Sequence, residues 1–145
     1  MANQASLTLL SKSKNIALAR LTVASFASEL EFNLNELEEI KVAVSEAVTN
    51  SIIHGYRGKE KEIEINMGTE NNELEIEVID HGVGIADIEA VLQPAFSTKE
   101  EHMGLGLAFI DSFMDSFEIH SELEQGTVVS MKKIPACCKK TGAHK

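Results

Sequence analysis

Glu46, Asn50 and His54 recur four residues apart in the run Glu46-Ala-Val-Thr-Asn50-Ser-Ile-Ile-His54-Gly55. On one helix that spacing makes a polar stripe beside an apolar face. An acid one turn before a carboxamide suits oxygen chemistry. Glu46 can accept a proton from an attacking hydroxyl or water, and Asn50 can offer its side-chain carbonyl to Mg²⁺, a hard ion that prefers oxygen and keeps several waters. His54, near the helix end, reads more simply as a structural or dipole partner. Taken singly, Glu46 or Asn50 is more often a solvated helix residue.

Two glycine-containing segments follow, Asp80-His-Gly82-Val-Gly84 and Gly104-Leu105-Gly106-Leu107. Asp80 continues the alternating series Leu74, Ile76, Val78, so its carboxylate points to the covered face at a strand end, where it needs a partner. Such an acid can accept from a ligand N–H, for instance an adenine amino group; the plainer reading is a turn opener before glycine. Gly82 and Gly84 let the backbone approach a flat ligand or take positive φ, a weak signal alone. Gly104-Leu105-Gly106 precedes an apolar helical run, and N–H groups at a helix start can hold phosphates. No Gly-Lys-Ser or Gly-Lys-Thr follows, and no Gly-x-Gly-x-x-Gly follows a strand, which argues against P-loop and dinucleotide-binding folds. The three segments together suggest an ATP site.

The elements that must position them are readable from periodicity. Ser6 to Ser11 can form a first strand, and Asn15 to Leu30 carries Ile16, Ala19, Val23, Phe26 and Leu30 at largely helical spacing. A second helix, N-capped by Asn35 with Glu38 three residues on, places Ile40, Val44, Ala47, Val48, Ser51 and Ile52 on one face and ends at Gly55. Ile63, Ile65 and Met67, then Leu74, Ile76 and Val78, alternate with polar residues around Glu70-Asn-Asn72 and predict an antiparallel hairpin. Further on, the pattern gives a short helix over 86–92, a loop over 94–103, a helix over 105–116, and a hairpin of 117–122 with 127–134 across Gln125-Gly126. Helices interleaved with hairpins predict an α/β (α+β) two-layer sandwich, a mixed and mainly antiparallel sheet with helices on one face. One domain over 1–134 is expected, with a disordered tail over 135–145.

Composition narrows the function classes. The 145 residues suffice for one core and are too few for two. No apolar run approaches the roughly 20 residues of a membrane span, and the first ten residues lack a secretory pattern, so a cytoplasmic, non-membrane protein is expected. A net charge of −10 opposes binding to nucleic acid but not to ATP, because backbone N–H groups and a divalent cation can hold phosphates. Cys137 and Cys138 are adjacent, without zinc-site spacing, and read as reduced and incidental.

At this point the sequence resembles the GHKL (Bergerat) ATPase and kinase superfamily: Glu46-x-x-x-Asn50 is similar to its N box, Asp80-x-Gly82-x-Gly84 to its G1 box and Gly104-Leu-Gly106-Leu to its G2 box, in the same order. Within it, the chain to about Ile134 resembles the small single-domain anti-sigma factors that are serine-protein kinases of endospore-forming bacteria. Val44-Ser-Glu-Ala-Val-Thr-Asn-Ser-Ile-Ile-His-Gly-Tyr56 is the most specific stretch. The resemblance implies Glu46 as general base, Asn50 as Mg²⁺ ligand and Asp80 as adenine contact. Gly82, Gly84, Thr98, Lys99, Gly104, Leu105 and Gly106 complete the ATP pocket. It also implies an anti-anti-sigma protein as phosphoacceptor on serine, a sporulation sigma factor as the partner held, a homodimer, and Arg20 facing the protein partners. The bland reading of Arg20 is an exposed helix residue.

The lid departs from the family pattern. Relatives often carry a longer segment with an arginine before the second glycine pair, whereas here Glu100-Glu-His-Met103 is short and acidic, leaving Lys99 as the cation for a γ-phosphate. Two neighbouring readings stay open: a general-stress anti-sigma kinase, and a nucleotide-gated binder without phosphotransfer. A histidine-kinase catalytic domain lacks a preceding dimerisation helix here, and a gyrase-type ATPase needs further domains.

Overall fold

The structure, a computed structural model, describes residues 3–85 and 101–139. Strand β1 (Asn3–Leu10) leads into helices α1 (Asn15–Ala27) and α2 (Leu34–Asn50), and α2 runs on into a π-helical turn, Ser51–Gly55. The hairpin β2 (Glu62–Glu70) and β3 (Glu73–Asp80) follows, then α3 (Glu101–Phe113), β4 (Ser116–Glu122) and β5 (Gly126–Lys133). The strands form one sheet in the order β1-β2-β3-β5-β4, and every described pairing is antiparallel.

Alternation makes one face of this sheet apolar. Ile63, Ile65, Leu74, Ile76 and Met131 are fully buried with Ala19 and Val23 of α1, Ile40, Val44 and Val48 of α2, and Ile110 of α3, in a single core. Each Ile, Leu, Val or Met among them contributes about 1.5–3 kcal/mol by leaving water. The opposite face carries Glu64, Asn66, Glu75 and Glu77, so the helices cover one side only, as the sequence pattern required. The predicted α+β sandwich is the observed fold.

Several boundaries move. β1 starts at Asn3, because it pairs with β2 as far as Thr69; its polar, exposed residues give no periodic signal. The cap of α2 is Asn33, not Asn35: Asn33 Oδ1 accepts the Glu36 N–H at 2.8 Å and Glu36 Oε1 accepts the Asn33 N–H at 2.9 Å. Both Asn-x-x-Glu registers exist in the sequence, and packing selects the earlier one. Phe32 before that cap and Leu37 in the first turn both reach the core, the arrangement of a hydrophobic staple. α3 begins at Glu101, so the end of the expected 94–103 loop is helical; the expected 86–92 helix lies outside the described residues.

The tail expected to be disordered from Pro135 is instead fastened as far as Lys139. Pro135 is fully buried, Ala136–Cys138 form a 3₁₀ turn, and the Ala136 N–H donates to Glu36 Oε2 at 2.8 Å. Asp115 accepts from the Ile134 N–H at 2.7 Å and from Lys139 Nζ at 2.6 Å. Burial pushes the Asp115 carboxyl up, but these two donors together with the Lys133 charge outweigh it and leave it below its ordinary value.

Candidate nucleotide site

The acid–amide pair of α2 stands on the helix that crosses the sheet beside α3. Glu46 and Asn50 are both half-buried, one turn apart. A Cβ built on Gly106 would lie 2.7 Å from Glu46 Oε1, so the carboxylate rests directly on the bare backbone of α3. Burial there raises the Glu46 pKa above its ordinary value, which makes it a better proton acceptor at neutral pH. The glycines of 104–106 fall in the first turns of α3 rather than in a turn before it.

Helical hydrogen bonding changes at Asn50. The Tyr56 N–H reaches Ser51 O at 2.8 Å, a bond spanning five residues, and the Gly58 N–H reaches Ile52 O at 3.1 Å as the chain turns off through positive φ at Arg57 and Gly58. The polar stripe is therefore α-helical only from Glu46 to Asn50, and His54 belongs to the wider π turn. That turn brings Ser51 onto the sheet. Its hydroxyl donates to Asp80 Oδ2 at 2.8 Å, a fully buried contact, while the Gly82 N–H donates to Oδ1 at 2.9 Å. π turns inside α-helices often sit at functional sites.

Asp80 is 4% exposed at the end of β3, on the covered face as its parity predicted. Each carboxylate oxygen spends one lone pair on a protein donor and keeps further accepting capacity. Gly55 lets the π turn lie directly against the acid, for a Cβ at 55 would sit 2.9–3.0 Å from the Asp80 carboxylate atoms. The arrangement is a buried carboxylate acceptor, oriented from two sides by protein donors and closely approached by the Gly55 backbone, where no side chain fits.

The loop after β3 is held from both directions. Tyr56, 4% exposed, donates its hydroxyl to Glu62 O at 2.6 Å and accepts the His81 N–H at 2.8 Å. The Val83 N–H donates to Gly55 O at 2.9 Å, the Glu124 N–H to Val83 O at 2.8 Å, and the Ile85 N–H to Ser121 Oγ at 2.7 Å. Gly82 packs against the Gly55 backbone and Gly84, at φ +77°, against Glu122, so no Cβ fits at either place. In this structure both glycines serve protein–protein closeness; they shape the loop that rims the site.

Sequence reasoning missed three residues here, Ser51, Gly55 and Tyr56. A signal existed for Ser51: its position on the apolar face of α2 puts a hydroxyl where only a buried acceptor can satisfy it. Arg20 lies on α1, half-exposed and without an ion pair among the described residues. Thr98 and Lys99 lie outside the described residues, and Gly104 and Leu105 are placed only as part of α3.

The fold is that of a two-layer domain of the histidine-kinase kind. A histidine kinase domain of the blue-light-activated kinase EL346 of Erythrobacter litoralis superposes with a TM-score of 0.54 at 13% identity, over 86% of this chain and 61% of that one, a likeness of fold. The profile of the histidine kinase-like ATPase domain matches residues 9–133. An anti-sigma F factor of Clostridium acetobutylicum is 47% identical over 133 residues, 90% of this chain and 93% of that protein. Proteins of the same name from Thermoanaerobacter sp. X514 (47%, 90% and 93%) and Clostridium kluyveri (43%, 91% and 94%) match to similar extent. The chain belongs to the histidine kinase-like ATPase family and, within it, to the anti-sigma F factors. ATP binding and kinase-type chemistry in general follow from that membership, and among the described residues no helix is long and apolar enough to cross a membrane.

Proposed function

We propose that this protein is a cytoplasmic, homodimeric anti-sigma factor. It holds and inhibits a sporulation sigma factor of the sigma F type and, as an ATP-dependent serine kinase, inactivates the anti-anti-sigma protein that competes for it. The name shared by the relatives supports the first half of this reading. The observation that carries the second is the buried Asp80 carboxylate, anchored by Ser51 and Gly82 and packed closely against the Gly55 backbone.

Asp80 accepts from the adenine amino group and fixes the nucleotide's orientation. Gly82, Gly84 and the Tyr56 anchor hold the loop beside it, and the α3 segment with Gly104, Leu105 and Gly106 faces the phosphates, with Thr98 and Lys99 closing the pocket. The Asn50 carbonyl would hold Mg²⁺, in keeping with that ion's preference for oxygen donors and water. Bound ATP supplies the γ-phosphoryl group. Glu46 takes the proton of the acceptor serine hydroxyl as its oxygen bonds to the γ-phosphorus and the bond from that phosphorus to the bridging oxygen breaks, releasing ADP; the raised pKa of Glu46 favours that proton transfer. Arg20 faces the protein partners.

The test is Mg²⁺-dependent transfer of labelled γ-phosphate to the anti-anti-sigma protein encoded nearest the gene, wild type against Glu46→Ala. Transfer that Glu46→Ala abolishes is the expected outcome. ATP binding without phosphoprotein would leave a nucleotide-gated binder and overturn the kinase.

A further inference from the structure

Cys137 and Cys138 are not isolated in a loose tail. Cys137 Sγ lies 3.6 Å from Cys138 Sγ, 3.6 Å from Glu31 Oε1 and 3.5 Å from Glu31 O. One ligand atom from each of Glu31, Cys137 and Cys138 falls within 4.8 Å of the others. Glu31 stands in the connection between α1 and α2, 106 residues away in sequence, so only the fold assembles this set.

We propose that Glu31, Cys137 and Cys138 form a site for one thiophilic divalent cation of the zinc class at the seam between the α1–α2 connection and the C-terminal 3₁₀ turn. Two thiolates and a carboxylate are a borderline-soft donor set that selects such ions over Mg²⁺. The spacing agrees. With metal–sulfur bonds of about 2.3 Å and metal–oxygen bonds of about 2.0–2.2 Å, tetrahedral edges come to about 3.8 Å between sulfurs and about 3.5 Å from sulfur to oxygen. The two edges from Cys137, 3.6 Å to Cys138 Sγ and 3.6 Å to Glu31 Oε1, match these values, the third lies within 4.8 Å, and the sulfurs are far from the roughly 2.0 Å of a disulfide.

Both segments are fastened by bonds that owe nothing to a metal. Pro135 is buried, Ala136 is tied to Glu36, and Lys139 to Asp115, while Glu31 directly precedes buried Phe32 and the Asn33 cap. A preorganised donor set loses little freedom on binding. The hydrogen bond with Cys138, burial and the Glu31 charge push the bare Cys137 thiol up to about 11; a shared cation converts those same neighbours from a penalty into ligands. Binding takes up one M²⁺ and releases the two thiol protons to water.

The experiment is a titration of the reduced full chain with Cd²⁺, followed by the ultraviolet thiolate-to-cadmium charge-transfer band, with Zn²⁺ binding measured by calorimetry. The expected result is saturation at one ion per chain, a band lost in the Cys137→Ser, Cys138→Ser double variant, and an affinity reduced roughly 10–100-fold in Glu31→Gln. No saturable band, half an ion per chain, a band that survives the double serine variant, or Glu31→Gln binding at wild-type affinity would each overturn the three-ligand site. Glu31 and Cys137 are exposed and half-buried Cys138 is replaced by the near-isosteric serine, so the variants fold, and the readout is independent of nucleotide and kinase activity.

Discussion

Replacing Gly106 with alanine should move stability and catalysis in opposite directions. Gly106 lies inside α3, where glycine costs about 0.8–1.0 kcal/mol relative to alanine, so Gly106→Ala should stabilise the helix by that amount. For a chain of this size the gain corresponds to roughly 3 °C in Tm. The added methyl meets Glu46 Oε1 at 2.7 Å and the Glu46 Cβ and Cδ only at 3.6 Å, so the carboxylate end alone must retreat. Ordinary contact begins at 3.4 Å, a displacement of about 0.7 Å. A misplacement near 1 Å can cost about 100-fold in rate, so phosphotransfer should fall roughly 10- to 50-fold. Calorimetric melting and single-turnover transfer at saturating ATP read the two effects separately. In a Glu46→Ala background the same substitution should cost nothing further, because the group it displaces is gone. Wild-type transfer by Gly106→Ala would refute the placement of the base against α3, and a lowered Tm would refute the packing described.

Ser51→Ala removes a buried donor to a carboxylate and should cost about 1.5–3 kcal/mol in urea unfolding; a change under about 0.5 kcal/mol would mean that Ser51 does not hold Asp80. Glu46→Gln should abolish transfer yet melt higher than wild type near neutrality. Burial raises the folded-state pKa of Glu46, so the stability it contributes is full below the unfolded pKa and lost as pH rises through the raised value. That advantage should vanish on acidification toward about pH 4, and a variant melting lower than wild type near neutrality would contradict it. Wild-type transfer should likewise decline on the acid side with a midpoint above the ordinary value of a glutamate. Lys133, buried on β5, donates to Glu39 Oε1 at 3.2 Å and to the Phe113 carbonyl at the end of α3; Lys133→Met should destabilise by about 2–4 kcal/mol, measured by denaturant melts, and a neutral result would remove this tie between the helices and the sheet.

Period-two and helical patterning in the sequence determined the sandwich, its hairpins, the burial of Asp80 and the acid–amide pair of α2. Those features depend on neighbours within a few residues, where side-chain direction follows from backbone geometry alone. The register of the α2 cap did not, because Asn33 and Asn35 offer the same local chemistry and only Phe32 and Leu37 reaching the core separates them. Nor did the π turn after Asn50, the anchoring of Pro135–Lys139, or the gathering of Glu31 with the two cysteines. Tertiary structure alone set Ser51 on Asp80 across 29 residues and Gly106 under Glu46. A hydrogen bond or a missing Cβ acts over a few ångströms, and which distant groups come that close is decided by how the helices pack on the sheet.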